Sequence, residues 1–219
     1  MSSTSTPALL LINLGSPDEP TVPAVRRYLD QFLMDERVID LPYLLRALLV
    51  KGIILNTRPK KSAEAYRKVW TDEGSPLIVT SQKLAEEVGE RWGGPVALGM
   101  RYGNPSIASA LDEIGQAGAD EAIVVPLYPH YSMSSYETVV AQVLEELSKM
   151  ADPIRVHFLP PFYDHPLYRK VLAEVTAPHL EGQWDHLLIS FHGVPVRHIE
   201  KRDPSGCYCL KTEDCCFTD

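Results

Sequence analysis

The apolar run His186-Leu187-Leu188-Ile189-Ser190-Phe191 stops at His192-Gly193-Val194-Pro195, which leaves one imidazole where a strand would meet a glycine–proline loop. Imidazole is a base near neutral pH and a good ligand for borderline divalent metals. In a parallel α/β sheet ligands bind beyond the carboxyl ends of the strands, so His192 is a candidate base or metal ligand. A histidine that caps a strand and bonds only to backbone is the alternative. All four cysteines crowd into Cys207-Tyr208-Cys209 and Cys215-Cys216. Four thiolates can hold Zn²⁺ or a [2Fe–2S] cluster, whereas a disulfide framework would scatter its cysteines along the chain. The spacing is not that of a zinc ribbon, and four free thiols remain open as a reading. Arg101-Tyr102 follows the apolar run Val96–Met100. An arginine there can grip a carboxylate bidentately or serve in a structural ion pair. Tyr128-Pro129-His130-Tyr131-Ser132 ends another run and presents an aromatic face with a hydroxyl, while Asn13-Leu14-Gly15-Ser16-Pro17 closes a further run in a tight turn.

Positioning these groups takes strands with helices between them. Leu9–Asn13, Val96–Met100, Ala122–Leu127, Ile154–Phe158 and Leu187–Phe191 read as strands, nearly continuous in hydrophobicity, as strands covered on both faces are. Helices are expected over Val22–Met34, with Val25, Leu29, Phe32 and Leu33 on one face, and over Leu77–Trp92, Val139–Leu147 and Leu167–Leu180. Tyr66 belongs to a helix beginning near Lys60. Asn104-Pro105 reads as a helix start, and Ser134 with Glu137 has capping-box spacing. The alternation implies βαβ units and an α/β fold with a Rossmann-like parallel sheet flanked by helices. The proline-rich stretch Ala151–Pro166 is the expected seam. The first α/β domain is expected over 1–150, a connecting segment and helix over 151–183, and a second similar domain, only begun, over 184–219.

The 219 residues are 45% apolar, enough for a real core, and carry a net charge of -8, which argues against nucleic acid as a partner. The amino terminus lacks the basic and apolar regions of a signal peptide. The longest apolar stretch, Leu41–Leu55, is broken by Arg46 and Lys51 and is too short to span a bilayer. A cytoplasmic protein is expected, with Leu41–Leu55 either a buried helix or an exposed lip for peripheral membrane contact.

Five segments, Leu11-Ile12-Asn13-Leu14-Gly15-Ser16-Pro17, Gly74-Ser75-Pro76-Leu77, Gly99-Met100-Arg101-Tyr102, Leu127–Ser132 and Ser190–Pro195, occur in the order and spacing of a ferrochelatase. The chain resembles that family from Ala8 onward. The resemblance implies a lyase that inserts Fe²⁺ into a porphyrin, protoporphyrin IX or coproporphyrin III, in haem biosynthesis. It implies two Rossmann-like domains facing across a cleft, with His192 accepting protons or relaying metal at its floor. Leu14 would lie on the porphyrin face, Tyr66 near its edge, and Arg101, Tyr102 and Tyr128 along the site. Arg58 and Ser75 match positions that hold propionates or line the rim. The family's apolar lip takes the porphyrin from the membrane surface, which matches Leu41–Leu55.

Some bacterial members carry a [2Fe–2S] cluster just after the histidine motif. The resemblance makes Cys209 and one or both of Cys215 and Cys216 its ligands, with Cys207 extra. Family members are longer, so the chain reads as truncated, lacking the glutamate that works opposite the histidine and so expected to be inactive alone. A cobalt chelatase of related fold and a non-catalytic iron–sulfur or zinc-binding domain are the rival readings. The first is disfavoured by the Asn-x-Gly-Ser-Pro opening.

Overall fold

A computed structural model describes residues 6–213 and 215. Four parallel strands, β1 (Ala8–Asn13), β2 (Val96–Met100), β3 (Glu121–Pro126) and β4 (Arg155–Phe158), form one sheet in the order β2-β1-β3-β4. β1 is central, and Leu10 faces Ala97 on one side and Val124 on the other. Its sequence, Ala-Leu-Leu-Leu-Ile-Asn, is apolar almost throughout because both faces are covered. The core joins Leu10, Ile12 and Val124 of the sheet to Ile107, Leu111 and Ile114 on one helix and Val139 and Val143 on another. β4 lies at one edge of the sheet, and Arg155 and His157 are exposed there. His157 pairs with Glu121 at 2.7 Å.

The helices are α1 (Val22–Leu33), α2 (Tyr43–Ala47), α3 (Leu55–Val69), α4 (Pro76–Trp92), α5 (Ile107–Gln116), α6 (Thr138–Leu147), α7 (Pro166–Thr176) and α8 (Val196–Glu200). A π-helical stretch, Leu48–Ile54, joins α2 to α3 without a break. The helix that carries Tyr66 therefore begins well before Lys60. Pro59 lies inside it and has no N–H for the carbonyl of Leu55. Arg26 Nη1 takes that carbonyl at 2.7 Å, so the proline is tolerated.

Two local expectations fail for identifiable reasons. Asn104 does not cap α5. The Pro105 carbonyl is spent on Met100 N–H (2.7 Å), which keeps the chain extended until Ser106, whose hydroxyl accepts Ser109 N–H at 3.1 Å. Ser134 and Glu137 do not mark the start of α6: both lie inside a π-helical turn, Met133–Glu137, that precedes it, and the Glu137 carboxylate pairs with Arg37 (3.2 Å). On α1 the expected apolar face is turned inward: Val25 is buried together with Ala24 and Tyr28, and Leu29, Phe32 and Leu33 are half-buried.

Packing divides the chain into two compact units, residues 1–128 with 134–160, and residues 129–133 with 161–219. The first holds the whole sheet. It runs to residue 160, because β4 is hydrogen-bonded to β3. The second unit contains α7, a 3₁₀ turn at Ala177–Leu180, and α8. In it His130 stacks on Tyr163, with ring centroids 5.3 Å apart. The expected strand Leu187–Phe191 is not formed. A strand exists only through a ladder to a neighbour, and among the described residues this segment has none. Leu188 and Phe191 are 91% and 82% exposed.

Gly15 is where the loops after β1 and β2 touch. Its φ is +99°, and a Cβ there would stand 1.8 Å from the Tyr102 carbonyl oxygen. Gly15→Ala combines a left-handed residue costing about 1–2 kcal/mol with overpacking costing about 1–3 kcal/mol. We expect urea denaturation to show a loss of about 2–5 kcal/mol.

Candidate active site

The strand order reverses between β1 and β3, so the sheet's switch point lies between their carboxyl ends, where open α/β sheets bind ligands. Leu14 follows β1 there and Tyr128 follows β3. The end of β2 is tied to the same place. Arg101 N–H donates to the Asn13 carbonyl (2.8 Å) and Tyr102 N–H to the Leu14 carbonyl (3.0 Å). The Asn13 side chain holds this geometry, accepting Leu14 N–H at 2.8 Å and donating to Ser81 Oγ at 3.0 Å. Four residues picked out by sequence, Leu14, Arg101, Tyr102 and Tyr128, thus come together on three adjacent strands.

Beneath them is a buried ionic knot that the sequence does not announce. Asp35, in the loop after α1, accepts through Oδ2 from Arg101 Nη2 (2.5 Å), Tyr102 Oη (2.9 Å) and Thr138 Oγ1. Its Oδ1 accepts Arg37 N–H at 2.8 Å. Arg101 Nε donates to both Thr138 Oγ1 (2.6 Å) and the Thr138 carbonyl (3.0 Å). The Asp35 and Arg101 side chains are 4% and 13% exposed. Of the two roles open to Arg101, this geometry fills the ion pair. Tyr102 is 1% exposed, so it supports the site from below. Burial alone would raise the Asp35 carboxyl. The Thr138 hydroxyl, Arg37 N–H, Arg101 charge and Tyr102 hydroxyl outweigh it and hold the group below the ordinary carboxylate value.

An aromatic chain runs from this knot. Phe32 meets Tyr102 edge-on at 5.2 Å and stacks on Tyr28 at 6.1 Å, while Tyr66 is edge-on to both Tyr28 (6.4 Å) and Trp70 (6.3 Å). Tyr66 is half-buried, and so keeps part of its ring open. Burial pushes the hydroxyls of Tyr28, Tyr102 and Tyr128 well above the ordinary phenol value, and they stay protonated. The Tyr128 hydroxyl is buried with no hydrogen-bond partner among the described residues. Such a donor is normally satisfied by water or ligand.

Ser75, at the start of α4, is 7% exposed and lines a cavity of about 250 Å³ with Ser16, Pro17, Trp70 and Asn104. Arg58 is exposed on α3. In the Leu41–Leu55 stretch only Arg46, Val50 and Leu55 are buried. Arg46 Nη1 donates to the Leu41 carbonyl at 2.8 Å, and Leu44 and Leu48 are 79% and 67% exposed. The stretch is therefore an exposed apolar face. Among the described residues no helix is long and apolar enough to cross a membrane.

In the second unit, His192 lies exposed in a segment without regular structure. Asp203 organises the cysteine loop, accepting Tyr208 N–H (2.7 Å) and Cys209 N–H (2.9 Å). Cys215 Sγ accepts Leu210 N–H at 3.3 Å. Cys216 lies outside the described residues. Among the described residues no three histidine, cysteine or acidic side chains are close enough to cage a metal.

Sequence reasoning missed Asp35, Thr138 and Tyr28. Asp35 sits 66 residues from Arg101 and 103 from Thr138, and no short-range spacing links them.

The family model described as Ferrochelatase matches residues 6–218. A relative from Azotobacter vinelandii, named Ferrochelatase, is 51% identical over 210 residues, which is 95% of this chain and 62% of that protein. Relatives of the same name from Opitutus terrae and Pseudomonas syringae pv. tomato are 50% and 49% identical over 96% of this chain. The chain spans about 62% of the length of these curated relatives.

Proposed function

Because the chain belongs to the ferrochelatase family, we propose that it is the part of a haem-forming lyase that receives the porphyrin face and carries the catalytic histidine. The reaction exchanges the two pyrrole protons of a porphyrin for one Fe²⁺ and releases both protons. His192 takes a proton or hands over the metal, tasks suited to imidazole. Leu14 and Tyr128 meet the macrocycle, whose wide π-surface suits apolar and aromatic contacts. Tyr66 borders its edge, Arg58 and Ser75 hold propionates or the rim, and Arg101 and Tyr102 border the site from below. The observation that carries this reading is Leu14 beside Tyr128 at the switch point of a sheet whose chain is about half identical to ferrochelatases. Supplying the natural protein with Fe²⁺ and protoporphyrin IX under reducing conditions should quench porphyrin fluorescence as haem forms. Coproporphyrin III serves as the competing substrate. Formation of neither product overturns the reading.

We also propose that Leu41–Leu55 rests on a membrane surface from the cytoplasmic side, since an exposed apolar patch of this size usually marks an interaction site. Leu44→Glu with Leu48→Glu should weaken binding to liposomes by about 10²–10³-fold, at about 2 kcal/mol for each buried leucine. Unchanged vesicle sedimentation would remove the membrane from the proposal.

We propose a [2Fe–2S] cluster on Cys209 and one or both of Cys215 and Cys216, with Cys207 extra, a reading supported by the donor chemistry and by the loop built around Asp203. A brown chromophore in the natural protein, lost in Cys209→Ser, tests it, and a colourless protein rejects it.

A further inference from the structure

Arg101 stands at the carboxyl end of β2, one strand from Leu14, yet its charge is committed inside the protein. Nη2 meets Asp35 Oδ2 at 2.5 Å and Nε meets Thr138 Oγ1 at 2.6 Å. Arg101 and Asp35 line a cavity of about 390 Å³ with Gln31, Gly103, Gln142 and Glu146. The second carboxylate there, Glu146, is already engaged by Gln142 Nε2 (2.7 Å) and Lys149 Nζ (3.0 Å). Asp35 is therefore the group that cancels the guanidinium. A guanidinium without its carboxylate pairs strongly with any carboxylate that reaches it, and the substrate class proposed above carries propionates.

We propose that Asp35 is a positioning residue of the porphyrin site: by cancelling the charge of Arg101 it keeps the substrate's carboxylates away from the end of β2 and leaves them to exposed cations such as Arg58. The inference rests on the porphyrin reading and deepens it. Asp35 touches no substrate. It fixes Arg101 and Tyr102 from one distant segment and Thr138 from another, and decides which positive charge a dicarboxylate meets.

The test compares a porphyrin diacid with its dimethyl ester on the natural protein, with affinity read by fluorescence quenching. Asp35→Asn should bind the diacid about three- to tenfold more tightly than the parent, the range of a partly screened charge pair, and leave the ester within about twofold. High salt should reduce the gain, and Arg101→Met added to Asp35→Asn should erase it. Iron insertion should slow while KM for the diacid falls, because the tighter pose is unproductive. A merely structural Asp35 would instead weaken diacid and ester together, and that result overturns the proposal, as does an unchanged diacid-to-ester ratio. Should Asp35→Asn fail to fold, Arg101→Met alone decides: a masked arginine predicts an unchanged ratio, and a selective tenfold loss of diacid binding rejects the proposal. A parent that binds neither porphyrin overturns the ferrochelatase reading itself. A parent that binds both, with a ratio that the substitution does not move, overturns this inference alone.

Discussion

Replacing His192 by alanine is expected to cut the rate of haem formation by about 10²–10⁴-fold, the usual contribution of a positioned acid or base. Porphyrin affinity should stay within a few-fold, because binding is assigned to Leu14, Tyr66 and Tyr128 of the first unit. The loss should therefore fall on kcat and leave KM near its parent value, the pattern of an interaction made only during the chemical step. His192 is exposed and packs in no core, so the variant should keep the parent's denaturation midpoint. The rival reading, a non-catalytic metal domain with its ion in the cysteine tail, predicts that His192→Ala keeps all bound metal and changes nothing else. Full activity in the variant would leave the imidazole without a role and would sink the assignment.

Asp35→Asn is expected to lower the unfolding free energy at neutral pH by about 3–5 kcal/mol, the cost of leaving one member of a buried ion pair uncompensated. Its partner Arg101 is 13% exposed, so water screens it poorly. The folded-state carboxyl is held below its ordinary value. Its contribution is therefore fully present above the unfolded carboxylate pKa and is lost as pH falls through the depressed folded value. Urea denaturation from neutrality into the acid range should show the parent losing stability steeply, and Asp35→Asn losing less because its deficit shrinks in acid. Parallel curves would show that Asp35 is not ionised in the fold. A loss of this size still leaves an ordinary domain folded at neutral pH, so the porphyrin-binding comparison on the same variant is practicable.

Much of the sheet was legible along the chain. The apolar runs at Leu9–Asn13, Val96–Met100 and Ala122–Leu127 become β1, β2 and β3 to within one residue at either end. A doubly covered parallel strand is nearly uniform in hydrophobicity, and few other elements are. The run Leu187–Phe191 has the same composition and is not a strand among the described residues. Composition supplies the side chains for a strand, while only a neighbouring ladder satisfies its backbone. The turn at Gly15-Ser16-Pro17 was legible for the opposite reason. A positive φ and a carbonyl pressed against the α-carbon are conditions of one residue, and glycine meets them.

The residue types determined the menu of chemistry: one imidazole beside glycine, four crowded thiols, and an arginine and tyrosines placed just after apolar runs. They also determined the alternation of strand and helix that puts Leu14, Arg101 and Tyr128 at carboxyl ends. Tertiary structure alone decided what those groups are free to do. Whether Arg101 faces a ligand or an internal carboxylate depends on Asp35 and Thr138, brought to it across 66 and 37 residues by the packing of α1 and α6 on the sheet. Charge pairing is a matter of a few ångströms in space, and distance along the chain carries almost no record of it beyond one turn of helix or one step of a hairpin.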